Sequence, residues 1–176
     1  MKRVFVAINI PEQVKEHIWK VFSEKIPEQG MKRVEKKNLH ITLLFLGHLH
    51  ESYVRELEEK LRAIETLRGF EITLSSIGSF GSRVLWLGVT KNAQKIVELH
   101  DEICRLLGIS DERFSAHVTL ARNKRLSRRE FANVVEQLKK EQFEESFLVE
   151  SVDIMESILT GSGPIYKKLV EIRLSV

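Results

Sequence analysis

Two short segments of the chain each pair a histidine with a threonine two residues later. His40-Ile-Thr42-Leu and His117-Val-Thr119-Leu share one pattern of polar and apolar residues. Residues i and i+2 of a β-strand point to the same side, so each segment, folded as a strand, presents an imidazole and a hydroxyl together. A single His-x-Thr occurs often by chance, but two of them, each on an apolar strand, indicate a functional site.

Two imidazoles and two hydroxyls around one small volume suit phosphoryl transfer at a cyclic phosphodiester. In-line displacement needs a base beside the attacking oxygen and an acid beside the leaving oxygen. Imidazole does either near neutral pH because its unperturbed pKa is about 6.5. The hydroxyls of Thr42 and Thr119 can hydrogen-bond the non-bridging oxygens as charge builds there. Arg122, just past the second predicted motif strand, can add a bidentate contact, and such a site requires no metal.

The elements that position these segments are predicted to occur twice. Each half reads as strand, helix, motif strand, helix and two further strands, over approximately residues 3–82 and 83–176. No Pro-, Gly- or Ser-rich linker separates the halves. We therefore expect a single α+β domain over 1–176, with two lobes related by a pseudo-twofold axis. Each lobe is expected to be a mostly antiparallel sheet with helices on its outer face, and the cleft between the lobes to hold the active site.

Apolar periodicity gives the bounds of the individual elements. It predicts strands at 3–9, 39–46, 70–77, 84–89, 115–121, 147–159 and 165–174, and helices from Pro11 onward and at 53–67, 93–107 and 128–139. Ser52 is the predicted N-cap of the second helix. The intervals from His40 to Phe70 and from His117 to Phe147 are both 30 residues, which supports a duplication.

Composition is typical of a globular protein. The 176 residues are 43% hydrophobic and 30% charged, which suffices for one domain, and the single cysteine excludes an intrachain disulfide. The apolar run after Met1 is too short to span a membrane and has no small-residue cleavage site, so we interpret it as the first strand. We expect a cytoplasmic monomer that does not bind membranes.

Basic residues concentrate beside both motifs, although the net charge is only +3. They are Lys32, Arg33, Lys36 and Lys37 before the first motif, and Arg122, Lys124, Arg125, Arg128 and Arg129 after the second. We expect Arg122, Lys124 and Arg125 to bind substrate phosphates. The alternative interpretation of the wider clusters is a solvated surface.

With their flanking residues, the motifs resemble those of the 2H phosphoesterase superfamily. The segments concerned are Asn38-Leu-His-Ile-Thr-Leu-Leu-Phe-Leu-Gly47 and Phe114-Ser-Ala-His-Val-Thr-Leu-Ala-Arg122. Within that superfamily the chain is most similar, over essentially its whole length, to bacterial and archaeal RNA 2′,3′-cyclic phosphodiesterases, first described as 2′-5′ RNA ligases.

This resemblance implies a reaction and roles for the two histidines. His40 would donate a proton to the leaving oxygen and His117 would accept one from water, although the nearly equivalent repeats do not distinguish them by sequence. The substrate would be an RNA with a 2′,3′-cyclic phosphate end, tRNA fragments among the candidates. Hydrolysis would give a 2′-phosphate without any cofactor, and an RNA 5′-hydroxyl in place of water would give a 2′-5′ linkage.

Other interpretations of the same residues stay open. The site could act on a small cyclic nucleotide or a 2′-5′ oligoadenylate, or it could be a non-catalytic module that binds RNA ends. His48 and His50 form a spacing used by metal sites, but no third ligand is nearby, so we interpret them as loop residues. Phe45 is expected on the strand face opposite His40, in the core. Phe80 and Trp86 are also interpreted as core residues, with base stacking as the alternative.

Overall fold

The computed structural model describes residues 1–176 as a nine-stranded antiparallel sheet with four α-helices. The strands are β1 (Lys2–Asn9), β2 (Met31–Arg33), β3 (His40–Leu49), β4 (Phe70–Phe80), β5 (Val84–Lys91), β6 (His117–Asn123), β7 (Glu145–Val149), β8 (Ser151–Thr160) and β9 (Gly163–Arg173). The helices are α1 (Glu12–Val21), α2 (Glu51–Leu61), α3 (Ala93–Leu107) and α4 (Arg128–Lys139).

The helices cover one face of the sheet because each carries an apolar stripe at helical spacing. These stripes join the inward residues of the strands in one cluster of 39 buried residues, so the chain has a single main core. The stripes consist of Val14 and Ile18, of Leu57 and Leu61, of Ile96, Leu99 and Ile103, and of Phe131, Val135 and Leu138. The sheet is curled into a half-barrel with the helices on its outer face, so its concave face is the one opposite this core. No helix is long and apolar enough to cross a membrane.

The strand order is β7-β4-β5-β6-β3-β1-β8-β9, with β2 added beside β6. The two motif strands, β3 and β6, are therefore neighbours at the centre of the sheet. Their register contains only one partner pair, Ile41 with Val118, so the two halves of the sheet diverge on either side of it. The predicted bilobal α+β fold with a central cleft is confirmed.

The lobes exchange strands, which the sequence pattern does not reveal. β4, from the first half of the chain, pairs with β5, and β8, from the second half, pairs with β1. By position in the sheet, the counterpart of β4 is β8. Phe147 instead lies in β7, which pairs with β4 through Ile72. The equal 30-residue intervals therefore end on neighbouring strands, not on equivalent ones, and the repeat boundaries stay a prediction.

Three local predictions need correction, and one strand was missed. The single strand expected at 147–159 is two strands, β7 and β8, which lie in different lobes. The helix expected at 53–67 ends at Leu61 and continues as a 3-10 segment to Thr66. That helix begins at Glu51, so its N-cap is His50 rather than Ser52. The short strand β2 was not predicted, since three residues are too few to show a period.

Candidate active site

Adjacent central strands bring the two motifs together. Ile41 and Val118 are fully buried in the core beneath the sheet. Side chains alternate along a strand, so the histidine and threonine on either side of each buried residue lie on the concave face. All four line one cavity of about 240 Å³. The arrangement predicted for the motifs is therefore the one that the fold produces.

A β-bulge in the first motif strand changes which side chain follows Thr42 on this face. Ala7 of β1 pairs with Thr42 and Val6 pairs with Leu44, so Leu43 has no partner of its own. Leu43 and Leu44 are consecutive and both buried, which reverses the alternation beyond them. Phe45 consequently lines the cavity with 57% of its surface exposed, and its expected core position is wrong.

The second motif strand has a bulge at the equivalent place. Trp86 of β5 pairs with Thr119 and Leu85 pairs with Ala121, so Leu120 is the extra residue. Leu120 and Ala121 are both buried, and the next side chain, Arg122, returns to the cavity. Arg122 lies within β6 rather than past its end, and it occupies the position that corresponds to Phe45 in the other half.

Backbone carbonyls orient both imidazoles in the same way. Nδ1 of His40 lies 2.6 Å from the carbonyl oxygen of Asn38, and Nδ1 of His117 lies 2.7 Å from that of Ser115. A carbonyl only accepts, so Nδ1 carries the proton in each ring. The neutral rings thus keep the lone pair on Nε2, the nitrogen left for proton exchange. In His40 this nitrogen lies 2.7 Å from Oγ1 of Thr42, which donates to it.

The surroundings lower the pKa of both imidazoles below 6.5. Burial is the main cause for each. At His40 the charge of Lys15, and that of His117 when it is protonated, act in the same direction, against the hydrogen bond to the carbonyl of Asn38. At His117 the charge of Arg122 also lowers the pKa, against the hydrogen bond to the carbonyl of Ser115. Both rings are therefore mostly neutral at pH 7.

Aromatic rings enclose His40. The ring of Tyr166, from β9, meets the imidazole edge to face, with centroids 5.2 Å apart and planes at 89°. Phe5, from β1, contacts the same imidazole at 5.2 Å and also stacks on Phe45. These contacts fix the ring plane and exclude water from its sides, which accounts for the burial that depresses the pKa of His40.

Aromatic rings also lie beside His117. Phe80 meets its imidazole edge to face, with centroids 4.9 Å apart and planes at 88°, and Trp86 lies further away at 6.5 Å. The indole of Trp86 packs directly against Gly78, where an added Cβ would come within 2.3 Å of the ring, so a larger residue would displace the indole. Phe80 is 38% exposed and Trp86 is half-buried, so neither is the fully buried core residue expected.

The cavity is positively charged. It is lined by Arg3, Val34, His40, Thr42, Phe45, His117, Thr119, Arg122, Ser157, Leu159, Pro164 and Tyr166, with no aspartate or glutamate among them. Neither Arg3 nor Arg122 lies within 4.0 Å of a carboxylate. Two uncompensated guanidinium groups beside two hydroxyls and two proton-exchanging nitrogens form a site for an anion such as a phosphate.

Comparison with known proteins identifies the family. A family model described as the 2′-5′ RNA ligase superfamily matches residues 10–159. The chain belongs to this superfamily. It is 37% identical to the RNA 2′,3′-cyclic phosphodiesterase of Archaeoglobus fulgidus, over 95% of this chain and 97% of the relative. It is 36% identical to the protein of the same name from Methanocaldococcus jannaschii, over 96% and 99%.

A solved structure shares the fold of this 2′-5′ RNA ligase superfamily member. The crystal structure of Escherichia coli LigT complexed with phosphate superposes with a TM-score of 0.79 at 24% identity, covering 99% of this chain and 98% of the other. The similarity extends over both lobes.

Several residues of the site are not apparent from the sequence. Asn38 is buried, and its side chain donates to the carbonyl oxygen of Pro164 at 2.9 Å while its own carbonyl holds His40. It thus ties the start of β9 to the first histidine. Arg3 and Tyr166 reach the cavity from β1 and β9, and only the pairing of these strands would have indicated them.

Four residues considered in the sequence analysis lie outside the cavity: Lys124, Arg125, His48 and His50. Lys124 and Arg125 line a separate groove beside the cavity, not the cavity itself. His48 is exposed at the far end of β3, and His50 caps α2. No group of three or more His, Cys, Asp or Glu side chains is arranged to hold a metal ion.

Proposed function

We propose that this protein hydrolyses 2′,3′-cyclic phosphate ends of RNA to 2′-phosphate ends. The observation that carries the proposal is the pair of imidazoles, each with Nδ1 held by a carbonyl, in one cavity that contains Arg122 and no carboxylate. The names of the relatives from Archaeoglobus fulgidus and Methanocaldococcus jannaschii support the same activity.

The proposed reaction exchanges one proton at each imidazole. Nε2 of neutral His117 takes a proton from water as the water oxygen attacks phosphorus. The bond between phosphorus and the 3′ oxygen breaks, and protonated His40 gives that oxygen its Nε2 proton. The products are a 2′-phosphate and a 3′-hydroxyl. Nε2 of His117 has no hydrogen-bond partner in the protein, whereas Nε2 of His40 contacts Thr42, which suits His117 as the proton acceptor.

Arg122 and the threonine hydroxyls are proposed to stabilise the negative charge on the phosphate. The phosphorane-like transition state carries more negative charge on its non-bridging oxygens than the cyclic diester does. Fixed donors aimed at those oxygens therefore stabilise the transition state more than the substrate. Thr42 also contacts Nε2 of His40, so its hydroxyl can bridge the acid and the phosphate.

A module that only binds RNA ends is less well supported by the same geometry. Such a module would gain affinity from charged imidazolium groups. Burial and neighbouring positive charges lower the pKa of both histidines, which disfavours the doubly protonated pair that would bind an anion best. One neutral and one protonated ring, each with Nδ1 held by a carbonyl, favour proton transfer over binding.

The product of the reaction tests the proposal. We expect the protein, in excess EDTA, to convert an RNA ending in a 2′,3′-cyclic phosphate to one ending in a 2′-phosphate at the rate seen without EDTA. The reason is that acid, base and charge stabilisation all come from side chains. Phosphorus NMR of the product distinguishes a 2′-phosphate from a 3′-phosphate. Loss of activity in EDTA, with recovery on adding one divalent ion, would contradict the mechanism.

Four further properties of the protein remain predictions from the sequence. They are reverse formation of a 2′-5′ linkage when an RNA 5′-hydroxyl replaces water, tRNA fragments as substrates, a monomeric state and a cytoplasmic location.

A further inference from the structure

A basic groove adjoins the cavity on the side of β2 and β6. It is lined by residues 27–32, by Lys124 and Arg125, and by the first turns of α4. With a volume of about 1060 Å³ it is larger than the cavity that holds the histidines. Lys32, Lys124 and Arg125 all line it with exposed side chains. The groove has no role in the chemistry proposed for His40 and His117.

The backbone that carries these cations is fixed. The carbonyl oxygen of Gly30 accepts hydrogen bonds from the backbone N–H groups of Lys124 at 2.7 Å and of Arg125 at 3.0 Å. Gly30 has φ = 84°, and a Cβ there would lie 2.6 Å from Leu126, so glycine is required. The Asn123 side chain holds the turn through donation to the carbonyl oxygens of Ser82 and Leu126.

The positive charge of the groove is not neutralised. None of Lys32, Lys124 and Arg125 lies within 4.0 Å of a carboxylate. The two acidic side chains along the groove are engaged elsewhere, Glu28 with Arg33 and Glu130 in the capping box of α4. By contrast, the other basic residues before the first motif are paired, Arg33 with Glu28, Lys36 with Glu16 and Lys37 with Glu35.

One register pair links the residues that line the groove to those that line the cavity. Lys32 of β2 is the register partner of Arg122 of β6, and directly opposed residues of an antiparallel pair project from the same face of the sheet. Arg122 lines the cavity and Lys32 lines the groove. Cationic groups therefore follow one another from the histidines outward.

We propose that this groove binds the backbone phosphates of single-stranded RNA on the 5′ side of the cyclic end. The inference rests on the proposed function, because a cyclic phosphate occupies both the 2′ and 3′ oxygens of the last nucleotide. The chain can then leave the cavity only through its 5′ phosphate. Lys32 meets that part of the strand first, and Lys124 and Arg125 contact phosphates further upstream.

Binding at different salt concentrations tests the groove without requiring turnover. The probe is a short fluorescent single-stranded RNA ending in a 2′-phosphate, measured by anisotropy. For single strands, log K falls with log salt by about 0.7 per neutralised phosphate. We expect the triple variant Lys32→Ala, Lys124→Ala, Arg125→Ala to lower that slope by about 2. The ratio of kcat/KM for a cyclic-ended oligonucleotide to that for a cyclic mononucleotide should fall about tenfold.

The matched control removes the same charge from residues outside the groove. Lys20→Ala, Lys95→Ala, Lys140→Ala changes three exposed lysines that form no ion pair, and it should leave the salt slope and the substrate ratio unchanged. A groove variant whose slope and ratio equal those of the wild type would overturn the inference. If the wild type opens no cyclic phosphate, the proposed function fails instead, and the binding slopes still decide whether the groove holds RNA.

Discussion

Alanine at His40 or at His117 is expected to lower kcat for opening a cyclic mononucleotide by about 10²- to 10⁴-fold, the range for a positioned acid or base. Each ring has Nδ1 held by a backbone carbonyl and Nε2 left to exchange a proton, and the cavity contains no carboxylate that could replace either ring. Glutamine at either position fills more of the space between the aromatic rings but cannot exchange a proton, and it should be equally inactive.

His48→Ala is the matched control for these variants. His48 lies on the same strand as His40 but is exposed and outside the cavity, so its loss should leave kcat unchanged. Thermal unfolding of each variant, followed by circular dichroism, checks that the fold persists. Near-normal turnover of folded His40→Ala and His117→Ala variants would remove the basis for two-histidine catalysis.

Arg122→Ala is expected to lower kcat/KM for the same mononucleotide by about 10²-fold, as for loss of one donor to a developing oxyanion. Arg122 has no carboxylate within 4.0 Å, so its charge is available to the phosphate rather than to the protein. Arg122→Lys keeps the charge but cannot make two parallel hydrogen bonds, and it should recover only part of the loss.

Arg129→Ala controls for the change in net charge. Arg129 is exposed on α4 and lines neither the cavity nor the basic groove. It should retain the wild-type kcat/KM. If Arg122→Ala matched Arg129→Ala in steady-state kinetics, Arg122 would be a surface charge and the phosphate would depend on the threonine hydroxyls alone.

The sequence predicted the two motifs on one face because the period of a strand fixes the relation between i and i+2. It did not predict Phe45 in the cavity. That outcome depends on the bulge at Leu43, which arises from pairing with β1 and leaves no mark on the apolar pattern. The matching bulge at Leu120 brings Arg122 inward. The two equivalent bulges thus place Phe45 and Arg122 in the cavity, whereas regular alternation would have turned both side chains to the opposite face.

Long-range pairing also explains the other omissions. The apolar run at 147–159 contains no glycine or proline, so nothing in it marks Glu150 as the boundary between strands in different lobes. Tyr166 reaches His40 only because β9 closes the lobe beside β8. Helices α3 and α4 were predicted with their observed bounds, since their apolar stripes are local features.

The pH dependence of kcat/KM tests the central claim, that one imidazole must be neutral while the other is protonated. Activity rises with pH as the base loses its proton and falls as the acid loses its own. In the protein without substrate, the pKa values of His40 and His117 are both lowered from 6.5. The maximum of kcat/KM should therefore lie below pH 6.5, and kcat/KM should decline toward neutral pH. The residual activity of His117→Ala should lose the rising limb of the pH profile, because the base is absent. The residual activity of His40→Ala should lose the falling limb, because the acid is absent. A wild-type profile that is flat, or that still rises above pH 6.5, would contradict catalysis by this pair.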